Sequence, residues 1–145
     1  MCLAASAQGQ APAPVRWRTL VRMSSPTEGT IIVRCLLTEG THVYGTKLPQ
    51  GGPIATEIEF SGCEGIKLIG NAEASPAAQE IDDPLFGMKL AQWTGNFEVK
   101  QKFKLAGPAD KAKVAVKVRY MSCDNHNCRP PKTENFTTKV PEYKK

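Results

Sequence analysis

From Val15 to Met23 the chain reads VRWRTLVRM. Val15, Trp17, Thr19, Val21 and Met23 fall on one side of a pleat, and three of the four residues between them are Arg. Side chains of an extended strand point alternately to its two faces, so this pattern describes a strand with one dry and one wet face. The same two-residue period returns in TIIVRCLLTEG, ATEIEFSG, GIKLIGNAE, GNFEVKQKFKL and AKVAVKVRYMSC, each bounded by Gly, Pro, Asn or Ser. LAGPADKA, between the last two, reads as a turn. No stretch keeps a 3.6-residue period for three turns.

Six or more strands in 145 residues imply an all-β domain, a β-sandwich of immunoglobulin type. The expected limits are 15–141, between a tail at 1–14 and a short tail at 142–145. Three stretches fall outside the strand rhythm: YGTKLPQGGPIA (44–55), EASPAAQEIDDPLFGMKLAQW (73–93) and the segment around YMSCDNHNCRPP (120–131). Long loops on a rigid sandwich are where function tends to sit.

The net charge of +5 raises the question of nucleic acid. The Lys and Arg residues are scattered, and in KAKVAVKVR they alternate with Val and Ala, as on the wet face of a strand. No run interleaves aromatic and basic residues, so nucleic acid is not an expected partner. No segment reaches the ~18 apolar residues of a membrane-spanning helix. LAASAQ near the start has small residues at Ala5 and Ala7 before Gln8, like the end of a secretory signal peptide, and the Pro-Ala run after it reads as a linker. The expectation is an exported protein. A lipid on Cys2 is an alternative, although no lipid-attachment motif precedes it.

There are five cysteines. Cys35 lies in a strongly apolar run and reads as a small buried hydrophobe; Cys63 lies in a turn, and neither it nor Cys2 has an assigned role. Cys123 and Cys128 enclose only Asp124, Asn125, His126 and Asn127. As a structural staple this pair would close a very short loop and remove little chain entropy. As a metal site it offers His126 as a third ligand, but no second Cys/His cluster completes a set. As a redox pair it has a polar, turn-tolerant, solvent-facing loop stiffened by Pro130 and Pro131. His126 or Arg129 would favour thiolate and Asp124 oppose it, so the sign of any shift in thiol acidity stays open. Exchange and a structural bridge remain the two main readings.

VKVRYMSCDNHNCRPPKTENF resembles the end of the N-terminal periplasmic domain of the DsbD thiol:disulfide interchange family: strand, Tyr, Cys, polar residues, Cys, Pro-Pro, closing strand. EGTHVYGTKLPQGGPIATEIEF and DDPLFGMKLAQWTGNFEVKQKF resemble further segments of that family, so the likeness covers about residues 15–140. It implies an immunoglobulin-like sandwich with an inserted redox loop and a cap loop. It also implies periplasmic location, no prosthetic group, electrons received from a membrane-embedded donor domain on the same or a separate chain, and delivery to thioredoxin-fold oxidoreductases. Cys123 and Cys128 would be the redox pair. Asp83, Pro84, Leu85, Phe86 and Gly87 would form the cap loop, with Leu85 and Phe86 excluding water and stray thiols; ordinary packing under a loop is the plain alternative for these two.

The family's cysteine-flanking tyrosines fall at His42 and Tyr44. His42 departs from the pattern, leaving a support role or an ordinary surface histidine. Asp82 and Asp83 would raise the cysteine pKa and hold protons nearby, or cap a turn; Asp124 and His126 complete the supporting set. The interval between the cysteines is one residue shorter than in the best-known member. VPEYKK leads into neither a membrane segment nor a thioredoxin-like domain, so a fragment of a larger reductase and a free-standing relative are both expected possibilities. The rival function is a non-catalytic immunoglobulin-like binding module whose bridge pins a loop.

Overall fold

The computed structural model of the chain describes residues 13–144, so Cys2 and nearly all of the expected signal-peptide tail lie outside the described residues. Eleven strands follow in order: β1 (Val15–Met23), β2 (Glu28–Leu37), β3 (His42–Tyr44), β4 (Glu57–Glu59), β5 (Ile66–Ser75), β6 (Gln79–Asp83), β7 (Met88–Trp93), β8 (Phe97–Leu105), β9 (Lys113–Tyr120), β10 (Ser122–Cys123) and β11 (Lys132–Lys139). A single 3-10 turn at Ala109–Lys111 sits inside the expected LAGPADKA turn. Among the described residues no helix is long and apolar enough to cross a membrane.

The alternation in β1 does what its pattern implies: Val15 and Trp17 are buried, while Arg16, Arg18 and Arg22 are exposed. The stretch 73–93 corrects the expectation of an irregular loop. It holds the end of β5 and an antiparallel hairpin of β6 and β7, with Ile81 opposite Leu90. In β6 only Asp83 is buried, so no dry face existed to impose a two-residue period.

One layer of the sandwich is the antiparallel sheet β1-β2-β8-β5. The other combines two smaller sheets, β10-β3-β7-β6 and β11-β9-β4. The main core lies between the layers: Trp17, Ile31, Val33, Cys35, Phe97, Val99 and Phe103 from the first meet Val43, Trp93, Val114, Val116 and Val118 from the second. Trp93 stacks on Phe97 at 3.9 Å, and Trp17 meets the same ring edge-on at 5.7 Å. Each large side chain buried here contributes about 1.5–3 kcal/mol, so stability rests on this core. Cys35 is fully buried in it, as expected of a small hydrophobe, and burial pushes its thiol far above the usual range.

The sheet β10-β3-β7-β6 is buried on both faces near its centre. Val43 and Trp93 point into the main core. On the other side Tyr44, Leu90, Met121 and Cys123 form a second cluster, against which Leu48, Ile54, Phe86 and Met88 pack. Leu48 and Ile54 come from the Gly/Pro-rich stretch after β3, which Thr56 ties back by donating to the Tyr44 carbonyl at 2.6 Å. One of the two cysteines of the short loop therefore stands in a small apolar cluster of its own.

Candidate active site

The strand β9 continues through Met121 into β10, which pairs with β3 so that Cys123 lies opposite His42 and Ser122 opposite Val43. The chain then reverses over 124–127. Asp and Asn favour such a reversal because their side chains bond nearby backbone. The Asp124 carboxylate accepts from the backbone N–H of His126 and of Asn127, each at 2.7 Å. Asp124 N–H donates to the Asn127 carbonyl and Arg129 N–H to the Ser122 carbonyl, both at 2.9 Å. The Asn127 and His126 amides hold the Asp124 carboxyl below its ordinary range.

Cys123 and Cys128 are joined as a disulfide across this turn. The expectation that both face solvent needs correction. Cys123 is 2% exposed because β10 turns it into the second cluster, whereas Cys128, beyond the strand, is exposed.

Beside Cys123 lies a buried polar chain. The Tyr44 hydroxyl donates to Asp83 Oδ2 at 2.6 Å, and Gln92 Nε2 donates to the same oxygen at 3.3 Å. His42 Nε2 is 3.1 Å from the Tyr44 oxygen and 3.7 Å from Asp83 Oδ2. Burial alone would raise the Asp83 carboxyl, but the bonds from Tyr44, from the Phe86 and Leu85 amides and from Gln92 outweigh it and hold it low. Burial, bonding to Asp83 and its charge push the Tyr44 hydroxyl well above its usual range, so it stays protonated. Its one hydrogen is committed to Asp83; His42 Nε2 must therefore donate to the Tyr44 oxygen, which assigns the neutral ring its tautomer and leaves Nδ1 as the acceptor. Burial lowers the His42 pKa, against the opposing pull of Asp83 and Asp124. His42 is 8% exposed, so it is not a surface histidine.

Asp83 also builds the turn between β6 and β7. Its Oδ1 accepts from Leu85 N–H at 2.8 Å and Phe86 N–H at 3.1 Å, and its carbonyl accepts from Gly87 N–H at 2.8 Å. Gly87 closes the turn at φ 65°, where any side chain would be strained. The turn directs Phe86 edge-on to Tyr44, ring centres 6.0 Å apart, and into the cluster that holds Cys123. Leu85 stays 37% exposed. Pro84 and Leu85, with His42, Asp83, Asp124 and Asn125, line one cavity of about 210 Å³ between the β6–β7 turn and the cysteine hairpin. Asp82 lines it too, but is exposed and faces Lys89 across the hairpin.

The fold thus gathers His42, Tyr44, Asp83, Phe86 and Cys123. It leaves Cys128 and His126 on the exposed side of the hairpin. Cys35 and Cys63 are free thiols away from this cluster, the latter bonded to Ala115 in the β9 strand. Sequence reasoning missed Leu90, Gln92 and Met121; a lone Gln in KLAQW is the only local hint that a buried polar partner is needed there. Among the described residues no three His, Cys, Asp or Glu side chains are grouped to hold a metal ion.

Residues 10–140 match the family described as "Thiol:disulfide interchange protein DsbD, N-terminal". No curated protein matches the chain. Among solved structures, the reduced DsbD N-terminal domain of Neisseria meningitidis is 15% identical with a TM-score of 0.51, covering 85% of this chain and 84% of that one. The N-terminal periplasmic domain of ScsB from Proteus mirabilis is 17% identical with a TM-score of 0.55. That match covers 92% of this chain and 51% of the ScsB chain, so this chain spans about half of it. At these identities the likeness is one of fold, an immunoglobulin-like all-β sandwich.

Proposed function

The chain belongs to the DsbD N-terminal family as a thiol:disulfide interchange domain, and from that premise we propose that it is an exported carrier of reducing equivalents whose working pair is Cys123 and Cys128. The observation that carries this reading is the unequal burial of two bonded sulfurs, one inside a small apolar cluster and one exposed.

The inequality gives the two cysteines different tasks. A donor thiolate approaches the exposed sulfur and attacks Sγ of Cys128; the Cys123–Cys128 bond breaks and its electron pair goes to Cys123. The donor's second thiol then attacks the donor sulfur of the mixed disulfide, which frees Cys128 and leaves the donor oxidised. In delivery, Cys128 thiolate attacks a partner disulfide. Cys123 next attacks Sγ of Cys128, restoring the internal bridge and releasing the partner as a dithiol. His42, opposite Cys123 in the strand register, offers Nδ1 as a place for the proton that a thiol gives up on becoming thiolate. Asp83 and Tyr44 hold that ring in its tautomer and act as positioning residues.

The cap turn controls access. Phe86 covers the cluster around Cys123, and Leu85 stands at the mouth of the adjoining cavity. On this reading the partners are thioredoxin-fold oxidoreductases of the periplasm, the electron source is a membrane-embedded domain on the same or another chain, and the working unit spans 15–141. Cys123→Ser and Cys128→Ser should each abolish turnover with a thioredoxin-fold partner while the β-sheet circular dichroism persists. Cys123→Ser should also accumulate a mixed disulfide through Cys128. Unchanged exchange in either variant, or equal trapping through Cys123, would contradict the assignment.

A further inference from the structure

The outer face of the sheet β1-β2-β8-β5 is far from neutral. Arg16, Arg18 and Arg22 project from β1 and Arg34 from β2, on the side opposite the core-facing Trp17 and Val33. Lys100, Lys102 and Lys104 project from β8, and Lys67 stands opposite Lys104 on β5. Only Glu28, Glu73 and Glu98 share this face, so eight cations against three carboxylates account for the chain's whole net charge of +5. The rest of the chain is balanced.

The arrangement runs against the sheet's own stability. Arg18 is paired directly with Arg34, and Lys67 with Lys104. Like charges facing each other across a strand pair are destabilising. Arg34 bonds Glu98 at 3.1 Å and Glu28 on β2 stands opposite Lys104, so each pair is relieved only in part. A local rule broken and only partly compensated in the fold marks a site with another use.

The geometry points to an anionic phospholipid surface as the occupant of this face. The cations are spread over all four strands with long, adaptable stems, and lipid phosphates can shift sideways to meet them. A protein partner would call for buried aromatic anchors in a pocket, whereas lysine is depleted from such interfaces. The outer positions of these four strands carry no aromatic residue; their apolar members are Leu20, Ile32, Leu36 and Ile69, with Leu36 and Ile69 38% and 39% exposed. Cys123 and the cap turn belong to the far face of the opposite layer. Adsorption through the basic face would leave the disulfide turned away from the lipid and free to meet partners.

Co-sedimentation with vesicles tests this directly. The chain should bind phosphatidylcholine vesicles containing about 30 mol% phosphatidylglycerol, should ignore pure phosphatidylcholine, and should lose binding as salt is raised from about 0.05 M to about 0.5 M. Lys100→Glu with Lys102→Glu should weaken binding about tenfold or more. Lys47→Glu with Lys139→Glu, which changes net charge equally but off this face, should leave it within about twofold. Equal loss in both double variants, or no preference for anionic vesicles, would overturn the proposal. So would retention of the chain by immobilised polyglutamate without binding to vesicles, which would assign the face to an acidic protein.

Discussion

His42 shows how one side chain links the fold to acid–base behaviour. Burial holds its pKa below the ordinary 6.5, so the unfolded chain takes up a proton that the folded ring resists. The stability this contributes is fully present above 6.5 and falls as pH drops through that value, until the folded ring is itself protonated. Asp83 acts in the same direction lower down: its carboxyl is held below 3.8, so its contribution is lost as pH falls through the folded value. Urea unfolding midpoints should therefore decline between about pH 7.5 and about pH 5.5, and His42→Gln should abolish that decline; a variant with the parent's slope would remove His42 from the account. None of this was legible from one histidine in THVYG. Its burial depends on a second cluster supplied by residues up to Cys123, and sequence alternation reports only the nearest apolar face.

At the scale of elements, the β6–β7 hairpin uses a buried carboxylate to place Phe86 against the cluster that holds Cys123, which on the proposed reading makes it a cover for the disulfide. Asp83 fixes the turn amides and Tyr44 with one side chain, and the turn in turn directs Phe86. Phe86→Ala should open the cluster around Cys123 and raise the rate of reduction by dithiothreitol about three- to tenfold, with turnover by a thioredoxin-fold partner less affected. An unchanged rate would remove the cap role and leave the redox pair standing. The proposed cap residues were reached only through DDPLFG and its resemblance. The strands around them were not, because Gln79, Glu80, Ile81 and Asp82 are all exposed and carry no dry face. By contrast β1, β8 and β9, each with one face in the main core, were readable from alternation alone.

On the proposed reading, the whole molecule separates its chemistry from its stability. The main core holds the sandwich without Cys128, and Cys123 belongs to the smaller cluster. A bridge closing so short a loop constrains the unfolded chain by about 2 kcal/mol. Reduction should accordingly lower the unfolding free energy by no more than about 2 kcal/mol and leave the sheet circular dichroism unchanged; unfolding on reduction would mark the bridge as a structural staple. The most direct test of the central claim is the reduction potential of the Cys123–Cys128 pair, measured by equilibrating the chain against glutathione buffers and trapping free thiols. A carrier should have its midpoint between about −180 and −250 mV, within reach of exchanging partners. A bridge that stays closed below about −300 mV would be structural and would contradict the carrier function.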